Sequence, residues 1–298
     1  MKILITGGSG FIGKALCEYL LSQNHQLTIV SRTPEKIQTL FDKSVSSIKS
    51  IKSLDATDHF DAIINLAGEP IADKRWSLKR KKVLLSSRIG ITRQIVDYIA
   101  KAEIKPETLI SASAIGYYGN QGDTILDEKS GFSDDFAHQL CAEWEHTANQ
   151  AKKSGLRVCL LRIGLVIGKD GGFLKRMLLP FKLSLGGRLG NGQQWMSWIH
   201  RDDLIEMIDQ LLNNKDLTGV FNGTAPQPVT NSEFTKTLAS SLNRFAFMHL
   251  PSIILKTGLG EMSELLLGGQ RVIPKRFIDN NFKFKYTDLK TAIKSISV

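Results

Sequence analysis

A short apolar segment that runs directly into a glycine-rich turn opens the chain, and it restricts the fold more than any other feature. Lys2 to Thr6 is apolar, residues 7–13 read GGSGFIG, Phe11 to Leu21 has a helical pattern, and Leu27 to Val30 is apolar again. This order predicts a strand, a turn, a helix and a second strand within about thirty residues. Such a β-α-β unit is typical of folds that bind dinucleotides.

Two glycine registers fit this turn. Gly7, Gly10 and Gly13 match G-x-x-G-x-x-G, while Gly8, Gly10 and Gly13 match G-x-G-x-x-G. In either register the backbone N–H groups and the start of the helix attract an anion. Glycine is required where the turn has positive φ or where a side chain would block a pyrophosphate. The turn therefore predicts a bound dinucleotide, and its residues alone leave the register open.

Apolar strand patterns alternate with helical patterns as far as Gly168. The strand patterns lie at 61–66, 108–114 and 157–167, and the helical patterns lie at 77–102 and 134–153. This alternation predicts an α/β fold with a Rossmann-type, doubly wound parallel sheet that is covered on both faces.

After Gly168 the pattern changes to a glycine-rich segment with two tryptophans, and GVFNG at 219–223 is a candidate late strand of the sheet. We therefore expect a cofactor domain of residues 1–168, completed by about 202–225. Residues 169–201 and 226–298 are expected to form a smaller, mostly α, substrate-side domain.

The end of the second predicted strand reads Ile29-Val30-Ser31-Arg32, without the acidic residue that binds the ribose hydroxyls of NAD. The planar guanidinium of Arg32 suits a 2′-phosphate, and Ser31 offers a hydroxyl. The formal net charge of +10 also suits an anionic ligand. These residues predict NADP(H) rather than NAD(H); the alternative is that Arg32 is a solvated loop residue.

Composition argues against other classes of partner. The densest basic run, residues 73–82, has a single aromatic residue, Trp76, and no recognisable nucleic-acid-reading motif, so no nucleic-acid partner is expected. No apolar stretch is long enough to span a membrane, and no membrane partner is expected. Cys17, Cys141 and Cys159 lack the spacing of metal ligands, so no metal site is expected. They are also odd in number and far apart, which favours a reducing compartment and predicts a cytoplasmic location.

Seven segments, in order, carry a resemblance to a known family: TGGSGFIG, NLAGEPIADKRW, SSRIGITR, SASAIGYYG, FAHQLCAEWE, LGNGQQWMSWIHRDD and FKFKYTDLKTAI. Across essentially its whole length the chain resembles atypical extended short-chain dehydrogenase/reductases. Members of that family are described as NAD(P)-dependent epimerase-like or sugar-nucleotide epimerase-like proteins, and some as cell-division-inhibitor-like. The resemblance implies the G-x-x-G-x-x-G register. It also implies cofactor contacts from Gly7, Ser9, Gly10, Phe11, Ile12, Gly13, Ser31, Arg32, Leu66, Ala67, Gly68, Arg88 and Ile163.

Short-chain dehydrogenases pair a Ser or Thr with a Tyr-x-x-x-Lys, whose tyrosine exchanges a proton while hydride moves to or from the nicotinamide. Aligning the helix at Glu145 puts Ala137 where the tyrosine belongs and Cys141 where the lysine belongs. A Tyr-x-x-x-Lys match does occur at 286–290, but its place in the C-terminal tail indicates coincidence. The sequence therefore predicts that the standard proton-transfer pair is missing.

Two interpretations follow. In the first, the protein is an NADP-dependent oxidoreductase or epimerase in which Ser113 polarises the substrate and Tyr117 is the acid. Strand periodicity would place Ser113 and Tyr117 on one face of the strand together with Ser111. We expect Ser111 to contact the cofactor. Tyr118 would point to the opposite face. In the second, the protein binds NADP(H) without turnover, as a sensor or scaffold.

The glycine- and tryptophan-rich segment at 186–200 is expected to close over the nicotinamide end of the cofactor. Gln194, Trp195 and Trp198 are the predicted substrate contacts. The substrate would be a small carbonyl or hydroxyl compound, and Arg176 and Arg188 leave a sugar- or nucleotide-linked one open. Analogy with related folds makes a homodimer through the helices at 77–102 and 134–153 plausible.

Overall fold

The structure is a computed structural model, and it describes residues 1–41, 45–169 and 171–296. Its centre is a seven-stranded parallel sheet with the order β3-β2-β1-β4-β5-β6-β7. The strands are β1 (Lys2–Thr6), β2 (Gln26–Val30), β3 (Ser46–Ile48), β4 (Ala62–Asn65), β5 (Thr108–Ala114), β6 (Arg157–Ile163) and β7 (Gly219–Gly223). The order reverses between β1 and β4, and ligands of open α/β sheets bind at such a point, beyond the carboxyl ends of the strands.

The middle strands are apolar throughout because both faces of the sheet are covered. Successive side chains of a strand point to opposite faces, so neighbours in β1 enter different cores. Ile3 and Ile5 are fully buried in one hydrophobic cluster, and Leu4 is fully buried in the other. This two-sided burial explains why the strands appear in the sequence as continuous apolar runs.

Helices cover both faces of the sheet. They are α1 (Phe11–Ser22), α2 (Pro34–Phe41), α3 (Leu78–Leu85), α4 (Ile91–Lys101), α5 (Phe136–Asn149), α6 (Gly172–Lys182), α7 (Arg201–Asn213), α8 (Asn231–Ser241), α9 (Ser252–Leu259), α10 (Glu264–Leu267), α11 (Lys275–Asp279) and α12 (Leu289–Ser295). Helices α1 and α7 pack on one face, whereas α4 and α5 pack on the other. Single 3-10 turns lie at Ile51–Ser53, Ile115–Tyr118, Gln150–Ser154 and Gly260–Ser263.

The long helix predicted at 77–102 is interrupted. A π turn, Ser86–Gly90, joins α3 to α4. Such π turns are rare and occur frequently at functional sites. This one contains Arg88.

Short paired strands stabilise the substrate side of the molecule. Ile125–Leu126 pairs with Arg271–Val272, Leu165–Ile167 with Trp198–His200, Gly187–Leu189 with Met248–Leu250, and Trp195–Met196 with Val229–Thr230. Together with α6 and α8 to α12 they form a mostly helical layer beside the sheet.

The predicted fold class is confirmed, and GVFNG is indeed a sheet strand, since β7 pairs in parallel with β6. The domain boundaries stay a prediction; β1 to β6 lie within 1–168 and β7 within 202–225. All three cysteines are free and buried. Among the described residues, no helix has both the length and the apolar character needed to cross a membrane.

Candidate functional site

The glycine turn between β1 and α1 is built around Gly7. Gly7 has a φ of +74°, and a Cβ there would lie 2.6 Å from the carbonyl oxygen of Leu66. A Cβ at Gly13 would overlap the carbonyl oxygen of Gly7. The N–H of Gly10 donates to that same oxygen at 3.0 Å. At Gly8 a Cβ would meet side-chain atoms only, so the backbone favours the register of Gly7, Gly10 and Gly13.

The segment after β4 lies directly against this turn. The N–H of Leu66 donates to the carbonyl oxygen of Thr6 at 3.1 Å. Ala67 and Gly68 follow, and a Cβ at Gly68 would lie 3.1 Å from Cζ of Arg88. The predicted cofactor segment from 66 to 68 therefore borders both the glycine turn and Arg88, at the point where the strand order reverses.

Arg88 is a cation held mainly by neutral oxygen atoms. Its guanidinium donates to the carbonyl oxygens of Glu69 at 3.0 Å and Leu84 at 3.3 Å, and it lies over the ring of Trp144. Burial lowers the pKa of the Arg88 guanidinium. Within the described residues it forms no ion pair with a carboxylate. A partly buried cation of this kind is stabilised by an anion, such as a phosphate of a dinucleotide.

The end of β2 presents a second cation. The N–H of Ser31 donates to the carbonyl oxygen of Ile48 at 2.9 Å, and its hydroxyl bonds with the backbone of Thr33. Arg32 is exposed and has no hydrogen-bond or ion-pair partner in the part of the chain that the structure describes. Its guanidinium is free to bind a phosphate.

The other predicted loop residues differ in their surroundings. Ser9 is exposed, and Ile12 is half-buried against the core. The ring of Phe11 packs closely on Gly171 and Gly172. A Cβ at Gly171 would overlap the ring, and a Cβ at Gly172 would lie 2.7 Å from the nearest ring carbon. Phe11 thus joins the glycine turn to the start of α6.

A cavity of about 270 Å³ lies beyond the carboxyl ends of β5 and β6. Three of the predicted residues line it: Ile163, Gln194 and Trp195. Ala137 and Cys141, which the alignment at Glu145 puts where a tyrosine and a lysine are expected, also line it. Further lining residues come from several separate segments. They include Asn120 after the 3-10 turn, Asp135 before α5, Asn231 at the start of α8, Leu265 and Leu266 in α10, and Gln270 after it.

Ser113 lies beside the cavity, but its hydroxyl bonds to another side chain rather than facing the cavity. Its hydroxyl donates to Oε1 of Glu145 at 2.7 Å. Nε and Nη2 of Arg162 donate to the two carboxylate oxygens of Glu145, each at 2.8 Å. These three side chains are nearly completely buried and form a hydrogen-bonded network beside the cavity, in which Nη1 of Arg162 has no hydrogen-bond partner among the described residues.

Tyr117 is not brought to the cavity, contrary to the expectation from strand periodicity. Its ring lies 3.3 Å from Cζ of Arg162 and also contacts Phe132 and His138. The reason is that β5 ends at Ala114 and continues as a 3-10 turn, in which side chains no longer alternate between two faces.

Tyr118 does face away from the cavity, as predicted. It is fully buried, and its hydroxyl donates to Oδ1 of Asn222 at 2.7 Å.

Two further predicted residues are buried away from the cavity, which corrects their interpretation. Trp198 is fully buried, and its indole N–H donates to the carbonyl oxygen of Gln227 at 3.0 Å, so it is a core residue. Ser111 is also fully buried, and its hydroxyl accepts a hydrogen bond from Nδ2 of Asn65. Ser111 therefore supports the strand ends rather than facing a ligand.

Comparison with known proteins identifies the fold. The model of the NAD dependent epimerase/dehydratase family matches residues 3–222, and that of a domain of unknown function, DUF1731, matches residues 250–296. The chain belongs to the NAD dependent epimerase/dehydratase family. It has the NAD(P)-binding short-chain dehydrogenase/reductase fold of that family.

Full-length relatives are similar to the chain. The chloroplastic epimerase family protein SDR39U1 homolog of Arabidopsis thaliana is 40% identical, over 99% of this chain and 86% of the relative. YfhF of Bacillus subtilis is 38% identical, over 99% and 98%. The crystal structure of human epimerase family protein SDR39U1 with NADPH has a TM-score of 0.91 and 34% identity, over 100% of this chain and 99% of that one.

This member of the epimerase/dehydratase family lacks the usual cationic residue of the site. Cys141 stands at the position of the lysine, and burial raises the pKa of its thiol to about 12. The thiol is therefore protonated and neutral at pH 7, and it does not supply the positive charge that would lower the pKa of a tyrosine. Ala137, at the position of the tyrosine, offers no proton.

Part of the site was not found from the sequence. Glu145 and Arg162 stand among apolar residues of α5 and β6, and two opposite charges in buried elements are a signal that could have predicted their ion pair. Asn120, Asp135 and Asn231 carry no such signal, because they come from separate segments that only the folded chain brings together.

Proposed function

We propose that this protein binds NADP(H) and transfers hydride between the cofactor and a small carbonyl or hydroxyl compound in the cavity. The observation that carries the proposal is the position of the cavity at the carboxyl ends of β5 and β6, with Ile163 in its wall. In short-chain dehydrogenases the nicotinamide lies in this region of the fold.

Residues of this chain fit a phosphorylated dinucleotide. The glycine turn leaves space for a pyrophosphate, and Arg88 offers a charge that has no carboxylate partner among the described residues. Arg32, at the end of β2, would bind the 2′-phosphate that distinguishes NADP from NAD. The human relative solved with NADPH, at 34% identity, supports this choice of cofactor.

Reduction of a carbonyl group takes a hydride from NADPH at carbon and a proton at oxygen, which leaves NADP⁺ and an alcohol. The proton does not come from a tyrosine–lysine pair, since Ala137 and Cys141 replace it. The hydroxyl of Ser113 donates its hydrogen to Glu145, and Tyr117 does not line the cavity. The catalytic roles predicted for these two residues are therefore not part of this proposal. Water at the cavity mouth is the proton source that we propose.

A second candidate function is a protein that holds NADP(H) without turnover. It is favoured by the hydrogen bond from Ser113 to Glu145, which removes the hydroxyl that polarises the substrate in related enzymes. Both candidates share the cofactor and differ only in chemistry at the cavity.

Cofactor binding tests the shared part. We expect wild-type protein to bind NADPH at least about ten-fold more tightly than NADH, because one charge-assisted phosphate contact contributes about 1.5–3 kcal/mol. Arg32→Asp should abolish that preference, whereas Arg93→Asp, an exposed residue on α4, should preserve it. Equal affinity of the wild type for both cofactors would contradict the proposal.

Turnover separates the two candidates. NADPH oxidation is followed by absorbance with a panel of small aldehydes and ketones. If the first candidate function is correct, the wild type oxidises NADPH with at least one compound of the panel, and the turnover of Tyr117→Phe stays within about two-fold of the wild-type value. Tight NADPH binding without oxidation by any compound of the panel would favour the second candidate.

The homodimer through the helices at 77–102 and 134–153 is also a proposal, and it rests on analogy with related folds. Sedimentation of the purified protein, with and without NADPH, tests it. A monomer under both conditions would contradict it.

A further inference from the structure

We infer that the cavity accepts a compact, largely apolar and uncharged molecule that carries a hydrogen-bond donor, and that it excludes nucleoside diphosphate sugars. The inference rests on the proposed function insofar as it takes the cavity for the substrate site. It departs from the sugar-nucleotide chemistry that the family resemblance implies.

Charge is the first argument. The carboxyl side chains of Asp135, Glu261 and Glu264 lie in the cavity wall. Among the described residues, no arginine or lysine lines it. A diphosphate brought into such a site would lose hydration without gaining a cationic partner, and it would also be repelled by the carboxylates. Specific diphosphate sites generally use arginine or lysine for this purpose.

Two cations near the cavity do not line its wall. Lys81 forms an ion pair with Glu261 at 2.6 Å, and Arg271 lies over the ring of Trp195 with its Cζ at 4.2 Å from the centroid. Arg176, which the sequence left open as a phosphate ligand, pairs with Asp73.

Arg188, the other basic residue that the sequence left open, is exposed and does not line the cavity. A ligand inside the cavity therefore has no basic residue to bind.

Size is the second argument. A cavity of about 270 Å³ is smaller than the roughly 300–1,000 Å³ of sites for drug-sized ligands. Ala114 and Ile163, at the ends of β5 and β6, form the part of the wall expected beside the nicotinamide. The space that remains for a second molecule is smaller still, and it suits a single ring rather than a nucleotide with a sugar.

The walls are mainly apolar. They include Ile71, Trp76, Phe136, Phe173, Leu265 and Leu266. Ala137 and the neutral thiol of Cys141 extend this surface to the place where related enzymes have polar catalytic side chains. A ligand thus gains most of its binding free energy from apolar contact.

One polar group gives the ligand an orientation. Nε2 of Gln194 donates to the carbonyl oxygens of Leu189 at 3.1 Å and Leu266 at 2.7 Å, which determines how the amide is turned. Oε1 of Gln194 is then a buried acceptor without a partner in the described chain. An acceptor left unpaired in this way costs free energy, and a ligand hydroxyl or N–H that displaces the groups covering this oxygen would satisfy it.

Calorimetric titration of the NADPH-loaded protein tests these points with three probes: benzyl alcohol, benzyl methyl ether and UDP-glucose. The ether has the ring of the alcohol but no donor. We expect the alcohol to bind, the ether to bind at least about five-fold more weakly, and UDP-glucose not to bind. Tighter binding of UDP-glucose than of benzyl alcohol, or no binding of the alcohol, would overturn the inference.

Variants test the assignment to Gln194. Gln194→Leu also removes the hydrogen bonds to Leu189 and Leu266, so the ratio of the two affinities is the quantity compared. The alcohol-to-ether ratio should fall to about one in Gln194→Leu, while Gln193→Leu, an exposed neighbour outside the cavity, should leave it unchanged. Ala137→Leu fills the cavity without touching the amide, and it should abolish binding of both compounds. An unchanged affinity for benzyl alcohol in both cavity variants would overturn the inference.

The proposed function can fail separately. Absence of NADPH binding would defeat it, and the same three titrations on unloaded protein would still report on the chemistry of the cavity. Conversely, NADPH binding together with tight binding of UDP-glucose would overturn only the present inference.

Discussion

The hydroxyl of Ser113 donates to Oε1 of Glu145 at 2.7 Å, and the same carboxylate accepts two hydrogen bonds from Arg162. In related enzymes the corresponding serine directs its hydroxyl toward the substrate. Here the guanidinium of Arg162 also lies on the ring of Tyr117, so both residues predicted to be catalytic belong to one buried ion-pair network. The network supports the floor of the cavity from below.

Removing the Ser113 hydroxyl should therefore affect stability more than chemistry. Ser113→Ala removes one hydrogen bond to a buried carboxylate, and we expect the free energy of unfolding to fall by about 1–2 kcal/mol. NADPH affinity and turnover should stay within about two-fold. Urea denaturation measures the first quantity, with Ser22→Ala, an exposed hydroxyl, as the control. Unchanged stability with abolished turnover would restore Ser113 to a catalytic role.

The glycine register predicts an asymmetry between two adjacent positions. Gly7→Ala places a Cβ 2.6 Å from a backbone oxygen at a φ of +74°, and we expect a loss of about 1–3 kcal/mol in stability and at least ten-fold in NADPH affinity. At Gly8 the new Cβ meets the side chain of Ile29 at 2.9 Å, and a side chain can move aside. Gly8→Ala should therefore lose less stability in denaturation and less NADPH affinity in titration than Gly7→Ala. A larger loss in Gly8→Ala would contradict the register of Gly7, Gly10 and Gly13.

Arg88 should contribute to cofactor affinity because it lacks a carboxylate partner in the described chain. We expect Arg88→Met to weaken NADPH binding about 10- to 100-fold, which corresponds to the loss of a charge-assisted contact of about 1.5–3 kcal/mol. The variant should also reduce the sensitivity of binding to salt. Arg93→Met, on the exposed side of α4, is the matched control. An unchanged affinity in Arg88→Met would show that Arg88 is a purely structural residue.

Asp203 predicts a dependence of stability on pH. It is fully buried, accepts from the N–H groups of Lys285 and Tyr286, and burial raises its pKa from 3.8 to about 6. Between these two values the folded chain holds a proton that the unfolded chain has lost, so this group favours folding increasingly as the pH falls from 6 toward 4. The stability of wild type relative to Asp203→Asn should rise over that range in urea denaturation. A difference that does not change with pH would contradict the prediction.

Local chemistry determined the beginning of the fold. The apolar segment of β1, the glycines after it and the helical pattern of α1 are adjacent in the chain, so their order alone predicted the β-α-β unit and the dinucleotide turn. The same holds for the two absent catalytic side chains, since Ala137 and Cys141 could be compared with a helix motif that has a fixed spacing. Arg32 could be placed at the end of β2 because it follows an apolar strand pattern directly in the chain.

Tertiary structure alone decided what faces the cavity. A 3-10 turn after Ala114 moved Tyr117 onto Arg162, and a short strand pairing put Trp198 in the core. The walls come from segments more than a hundred residues apart, from Ile71 to Gln270, and no local pattern predicts which of them meet. The sequence by itself determined the cofactor turn and most strands of the sheet, although not β3, because these depend on the spacing of neighbouring residues. Which side chains share the cavity depends instead on packing between distant segments, which exists only in the folded chain.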